Sequence, residues 1–346
     1  MIPALVLPMA ERLRVALADL NPDADAGAGL HELVRLGLDH LPLPGSGATL
    51  QRWRALAVVA EHDLSLAKLY EGHTDAKAIL FELGQGECAT PGSTWGMWAA
   101  EAPAGRAIIE PGDDGRLQLR GAKCWCSGAG KLSHGLLTAW LVDGRGPQLV
   151  RVAMDQSGVT VNSGAWQAVG MAGSASIDVV FEAANAEPAG ALGGYLSRPG
   201  FWQGGAGIAA CWYGGAVALG SALHRSLMRA GESERRAFPL AALGKIDLSL
   251  RSTAAILREA ARWIDDHPLD DASAVALRAR LAAEDTAKRV LDEAGRALGA
   301  AAFCHDARFA RTAADLPVFV RQSHAERDFA ALGERTTMLP SSPWLL

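Results

Sequence analysis

The spacing of apolar residues changes twice along the chain, so the fold must take in a helical segment, a strand-rich segment and a second helical segment, in that order. Up to about Gly92, Leu56, Val59, Leu64, Leu66, Leu69, Ile79, Leu80 and Leu83 recur mostly at three- and four-residue intervals, the spacing that keeps side chains on one helix face. The turn-rich Leu41-Pro-Leu-Pro-Gly-Ser-Gly47 interrupts them. From about Ser93 to Gly190 the period shortens toward two. Leu117 and Leu119 alternate with polar partners after the Gly112-Asp-Asp-Gly115 turn, and further strands are predicted over 136–142, 148–153, 159–161 and 177–181. Helical spacing returns after Arg198-Pro199. Ile246, Leu250, Leu257, Ala261 and Ile264 form one stripe, closed by Asp265-Asp266-His267-Pro268. Ala287, Val290, Leu291, Ala294 and Leu298 form a second, ending at Gly299, a residue suited to a helix C-cap. The order predicts an α+β protein with a helical domain over 1–92, a small antiparallel β domain over 93–190 and a helical bundle over 191–346, without internal repeats.

Composition narrows the partners. The 346 residues, 49% hydrophobic and 21% charged, can bury a substantial core. Acidic residues outnumber basic ones 38 to 33 and the basic residues are interspersed among them, which argues against a nucleic-acid surface and for a small-molecule substrate. The five cysteines form no CxxC pair, and Glu11 and Arg12 follow a short apolar run, so a cytoplasmic protein with reduced thiols is expected. Cys124 and Cys126 have the spacing of one strand face and are read as packing, with no metal site expected. The longest apolar run, Gly204 to Ala222, is broken by glycines and reads as a buried helix, with no membrane span. Within it, Gly205-Ala-Gly207-Ile-Ala-Ala210 has the GxGxxA form of a dinucleotide fingerprint, yet the preceding residues 197–203 do not read as a buried strand. Those glycines are expected to serve close packing or substrate approach.

Four stretches carry a more specific signal. They are Glu61-His-Asp-Leu-Ser-Leu-Ala67 with Leu69-Tyr-Glu-Gly-His73, the strand Lys123-Cys-Trp125-Cys-Ser127-Gly128, the turn Gly170-Met-Ala-Gly-Ser174-Ala-Ser176, and the C-terminal run with Gly299, Phe303 and Asp315. In order and spacing they resemble the acyl-CoA dehydrogenase family, over about residues 40 to 333. The resemblance implies that family's α+β fold, with an N-terminal helical domain, a middle antiparallel β domain and a C-terminal four-helix bundle. It also implies bound FAD and a homodimer or homotetramer, because the family completes each flavin site with a neighbouring chain. Trp125 and Ser127 match the tryptophan and hydroxyl residue that contact the flavin ring. Glu101 matches the acidic residue of a Thr-Glu-Pro segment, with Ala100 in place of the threonine. Arg235, in Arg235-Arg-Ala-Phe238, matches an arginine that reaches the FAD pyrophosphate of a neighbouring subunit, for which a planar guanidinium is suited. Gly299 matches the first glycine of a Gly-Gly stretch near the cofactor; Ala300 replaces the second and Arg296 stands where a glutamine is usual.

The catalytic carboxylate is missing from both places where the family keeps it. The position counted from Phe303 and Asp315 is occupied by Arg321-Gln-Ser323-His324, and the alternative, on the first helix of the C-terminal bundle, by Gly200-Phe-Trp-Gln-Gly-Gly205. The arginine that commonly serves CoA esters is likewise unmatched. His324 is the candidate acid or base: Asp328 lies four residues on, so on a helix the two share a face and the carboxylate orients the imidazole. Trp202, beside the glycine run, is the candidate substrate contact, whereas His62 and His73 read as surface groups of an N-terminal helix. The expected function is an FAD-dependent oxidoreductase of the acyl-CoA dehydrogenase type, passing hydride from a CH–CH unit, such as that of an acyl thioester, to the flavin. The alternatives are a flavin-dependent monooxygenase of the same fold and a non-catalytic binding or assembly protein that keeps it.

Overall fold

In a computed structural model, which describes residues 7–21, 24–102, 105–112, 115–162, 164, 166–230, 237–339 and 344, each periodic segment has become the element its spacing requires. Among the described residues four helices come first: α1 (Met9–Ala18), α2 (Ala26–Arg35), α3 (Thr49–His62) and α4 (Leu64–Glu82). Seven strands follow: β1 (Trp95–Trp98), β2 (Ala107–Pro111), β3 (Leu117–Cys126), β4 (His134–Leu141), β5 (Pro147–Ala153), β6 (Val159–Asn162) and β7 (Ile177–Pro188). Helices complete the chain: α5 (Gly194–Ser197), α6 (Gly200–Gly205), α7 (Ile208–Arg229), α8 (Ala237–Asp266), α9 (Ser273–Leu298), α10 (Ala300–His305), α11 (Ala307–Phe319) and α12 (Glu326–Thr337). Packing groups them into two compact units that do not follow chain order: Met1–Leu43 with Ser65–Phe201, and Pro44–Leu64 with Trp202–Leu346.

In the first unit the strands run β1-β4-β2-β3-β7-β5, β6 pairs with β7, and a further β4–β5 pairing closes the ring. Closure leaves the barrel strands without a free edge along their paired lengths. The expectation of a purely antiparallel domain is corrected here. β1 and β2 each run parallel to β4, because the chain reaches β4 through β3 and longer connections, not through a hairpin. β7 also runs seven residues past the predicted strand end at 181. Its second half is alanine-rich, with Ala184 and Ala186 buried, and weakly apolar residues give a faint alternation signal. Ile79 and Leu80 of α4 pack with Trp95, Leu136 and Leu149 of the sheet in the core of this unit. Full burial of side chains of this size contributes about 1.5–3 kcal/mol each.

The second unit is built around α7, which packs against α3, α8, α9 and α11. Small residues let it do so. A Cβ on Gly214 would stand 2.3 Å from the Ala57 carbonyl oxygen, and one on Gly220 would stand 2.9 Å from Ile246 Cγ2. The GxGxxA stretch is therefore a helix junction: Gly205 ends α6, Gly207 is the N-cap of α7, and no strand precedes them. Gly200 to Arg229 has the length and hydropathy of a membrane span, but 78% of its most apolar window is buried inside the protein, as in a core helix. The predicted stripes are recovered, with Ile246, Leu257, Ala261 and Ile264 of α8 and Ala287, Val290 and Ala294 of α9 buried.

The acidic close of the α8 stripe has a structural task. Asp265 accepts hydrogen bonds from the Thr49 amide (3.0 Å) and hydroxyl (2.6 Å) and from the Gly47 amide (3.0 Å), satisfying the start of α3 from 216 residues away. Asp265→Ala is expected to lower stability by about 1–2 kcal/mol, the cost of losing a helix cap, in a urea melt.

Candidate functional site

The strand that leads through Trp125 to Ser127 is distorted at Trp125. Along the β3–β7 ladder Lys123 pairs with Val179 and Cys126 with Ile177, so Cys124 and Trp125 together oppose the single residue Asp178. This is a β-bulge, and it turns one strand away from regular alternation. Trp125 has φ +60°, a left-handed conformation that is costly for a bulky aromatic residue, and the Trp125 amide donates to Asp178 Oδ1 at 3.3 Å. The bulge turns the indole outward, leaving Trp125 52% exposed among otherwise buried neighbours. Cys124 and Cys126 flank it inside; burial pushes both thiols up, and among the described residues no group of three or more metal-ligating side chains occurs.

Ser127, two residues on, is buried, and both its carbonyl and its hydroxyl are bonded. Its carbonyl accepts from the Trp98 indole N–H at 3.1 Å, and its hydroxyl lies 2.7 Å from that of Ser176. Ser176 in turn lies 2.9 Å from Ser174, whose hydroxyl donates to the Met171 carbonyl at 2.7 Å. Met171 (φ +58°) and Ala175 (φ +42°) bend the 170–176 turn so that the Ser174 and Ala175 carbonyls also accept from the Gly128 amide. Strand and turn, far apart in sequence, thus form one hydrogen-bonded surface beside Trp125. An exposed indole with a serine hydroxyl two residues further along the chain fits a planar heteroaromatic ring: the indole offers a stacking face and the serine a hydrogen-bonding group.

Glu101 belongs to the same unit but is spent on the sheet. One oxygen accepts from Lys123 Nζ (2.8 Å) and Thr138 Oγ1 (2.6 Å), the other from the Trp140 indole (3.0 Å). Burial opposes its ionisation, but the hydrogen bonds from Lys123, Thr138 and Trp140 outweigh it and hold the carboxyl below its ordinary range. Its evident work is to neutralise Lys123, a cation buried to 2% exposure. Arg235 lies outside the described residues.

In the second unit the C-terminal candidates are arranged differently from the helical pairing expected of them. His324 precedes α12 and sits in a turn, not on a helix; Ala325 next to it has φ +47°, which ends the helical path. Asp328, in the first turn of α12, still meets His324, accepting from its amide at 3.1 Å and lying 3.4 Å from Nδ1. The pairing is that of a carboxylate closing a helix start, and it leaves the imidazole 62% exposed. Gly299 ends α9 with φ +66° and caps it through its amide, 2.9 Å from the Gly295 carbonyl, as expected of a C-cap. Trp202 is half-buried on α6. A cleft of about 230 Å³ among Ile256, Trp263, Val275, Arg278, Arg335 and Leu339 includes none of these candidates.

Two clusters escaped the sequence reading. Glu284, its side chain 3% exposed on α9, pairs with Lys288 at 2.5 Å and lies 3.7 Å from Arg321. Burial opposes its charge, but Lys288, Ser323 and Arg321 hold the carboxyl below its ordinary range. A glutamate three residues from Leu281 and three from Ala287 falls in the apolar phase of α9, and that was the available signal. The second cluster corrects the surface reading of His73, which is fully buried in the first unit between Asp39, at 3.0 Å, and the Trp95 amide, at 3.1 Å. His62 is partly buried.

No family profile and no curated protein matches the chain. Solved structures do. Butyryl-CoA dehydrogenase from Megasphaera elsdenii superposes with a TM-score of 0.81 at 17% identity, over 96% of this chain and 99% of that one. TdsC from Paenibacillus sp. A11-2, a dibenzothiophene monooxygenase solved with FMN and indole, gives 0.78 at 18%, over 94% of each chain. KijD3, solved with FMN and a dTDP-linked amino sugar, gives 0.78 at 20%, over 97% of this chain and 94% of that one. At these identities the likeness is one of fold.

Proposed function

Given an acyl-CoA dehydrogenase-like fold, we propose that this chain is a flavin-dependent oxidoreductase acting on a small organic substrate, with the flavin held against Trp125 and Ser127 and FAD as its form. The observation that carries this reading is the outward-facing Trp125 on a strained bulge: backbone strain of about 1–3 kcal/mol persists where surroundings and use demand it. On this reading the segments 1–92, 93–190 and 191–346 are the three parts of such an enzyme, which assembles as a homodimer or homotetramer in the cytoplasm. Arg235 reaches a neighbouring chain's pyrophosphate, Gly299 gives the cofactor backbone access, and Glu101 acts indirectly by fixing Lys123 under the sheet. Bound flavin supplies the electron-accepting ring. The first unit's own part is to stack that ring on Trp125; in the second unit the proposed roles are proton transfer for His324, with Asp328 fixing its turn, and substrate contact for Trp202.

Dehydrogenation of a CH–CH unit needs a base, and neither 321–324 nor 200–205 contains a carboxylate. That absence favours a second reading, monooxygenation with reduced flavin and oxygen, which TdsC on the same fold supports by analogy. The visible spectrum of the flavin-loaded protein separates them. Anaerobic bleaching by one of a panel of acyl-CoA esters identifies a dehydrogenase. Bound flavin that resists bleaching, yet reoxidises rapidly in air with hydroxylated product, identifies a monooxygenase. Failure to bind flavin overturns both and leaves a non-catalytic protein. Trp125→Ala is expected to weaken flavin binding roughly tenfold, the worth of one aromatic stack, in an equilibrium titration.

A further inference from the structure

The hydroxyl chain behind the indole has a fixed polarity. A serine hydroxyl has one proton to donate, and a carbonyl can only accept. Ser174 gives its proton to the Met171 carbonyl at 2.7 Å. The 2.9 Å contact between Ser174 and Ser176 must then be filled by the proton of Ser176, and the 2.7 Å contact between Ser176 and Ser127 by the proton of Ser127. Only this assignment gives every contact in the chain a hydrogen. All three protons point inward, toward Met171.

We propose that Ser127 faces N5 of the flavin and offers it lone pairs only, and that the site therefore holds two-electron-reduced flavin in preference to oxidised flavin. The inference rests on the flavin reading above. Oxidised flavin has a bare acceptor nitrogen at N5; reduced flavin carries a hydrogen there and becomes a donor. Accepting from that hydrogen costs Ser127 nothing. Donating to the oxidised ring requires Ser127 to abandon Ser176 and lose a hydrogen bond, so the preference is expected to be about tenfold, equivalent to about 1.4 kcal/mol. For a two-electron couple a tenfold ratio of dissociation constants raises the potential of the bound flavin by about 30 mV. The same polarity suits an enzyme that receives its flavin already reduced.

The test is an anaerobic titration of the apoprotein with FAD and with FMN, each oxidised and dithionite-reduced, followed by tryptophan fluorescence. Wild type is expected to bind the reduced form about tenfold more tightly. Ser176→Ala frees the Ser127 proton to point outward and should bring the ratio near one, whereas Ser176→Thr keeps the hydroxyl chain and should keep the ratio. Ser127→Ala removes the acceptor and should also abolish the preference, which guards against misfolding of the Ser176 variant. Equal binding of both forms by wild type, or a ratio that survives Ser176→Ala, overturns the inference while leaving the flavin reading intact. No binding of either flavin in either state overturns the flavin reading and the inference with it.

Discussion

Asp39→Ala is expected to destabilise the unit formed by Met1–Leu43 and Ser65–Phe201 by about 3–5 kcal/mol, the cost of breaking a buried ion pair on one side. The Asp39 side chain is 2% exposed; one oxygen receives both His73 Nε2 and Lys77 Nζ, while the other lies 3.2 Å from His40. The Trp95 amide donates to His73 Nδ1, so in the neutral imidazole the proton sits on Nε2 and points at Asp39. Burial keeps that imidazole below its ordinary pKa of 6.5. Burial also opposes the charge of Asp39, but His73 and Lys77 overcome it and hold the carboxyl well below 3.8. Removing the carboxylate leaves the buried His73 N–H without its acceptor and the Lys77 ammonium without its counterion. A urea melt at neutral pH measures the loss, and Asp39→Asn, which keeps an acceptor, should lose less.

The pH dependence has a definite sign. A histidine whose folded pKa is depressed contributes stability above its unfolded value and loses it as pH falls, so His73 makes the wild type weaken as pH drops below about 6.5. Asp39, also depressed, holds its contribution until pH falls below about 3.8. The gap between wild type and Asp39→Ala should therefore persist through mild acid and close only in strong acid.

His324→Ala is expected to lower the turnover-linked rate of flavin reduction or reoxidation on the order of a hundredfold, the usual contribution of a positioned proton-transfer group. The imidazole is 62% exposed and packs against little, so flavin content and the unfolding midpoint should stay unchanged. Rapid-reaction absorbance on the loaded variant measures the rate. An unchanged rate removes the role. Asp328→Asn keeps an acceptor for the His324 amide and is expected to leave the turn intact, which separates orientation of the ring from folding of the segment.

The order of helices, strands and helices, the stripes of α8 and α9 and the cap at Gly299 were legible because each is a local pattern. What escaped depends on partners remote in sequence. Only Asp63 separates α3 from α4, and the apolar spacing continues across it, yet the two helices fall in different compact units; periodicity reports that a face is apolar and not what covers it. His73 looked like a surface residue because the residue that buries its charge-bearing edge, Asp39, is 34 positions away. The spacing of His324 and Asp328 was a sound guide to their meeting and a poor one to its form, since the left-handed Ala325 breaks the helix between them. The bulge at Trp125 had no sequence signal at all: the conformation that exposes it is one a tryptophan ordinarily avoids.

The interleaved units also set a timetable. During synthesis α3 emerges first, with Trp53, Leu56 and Ala60 on the face that α7 will cover, and 145 residues separate its end at His62 from the start of α7 at Ile208. At cellular elongation rates of about 5–20 residues per second, that apolar face waits roughly 7–30 s for its partner. A chain built this way has a long interval in which a chaperone, or another nascent copy, can reach α3 before α7 does.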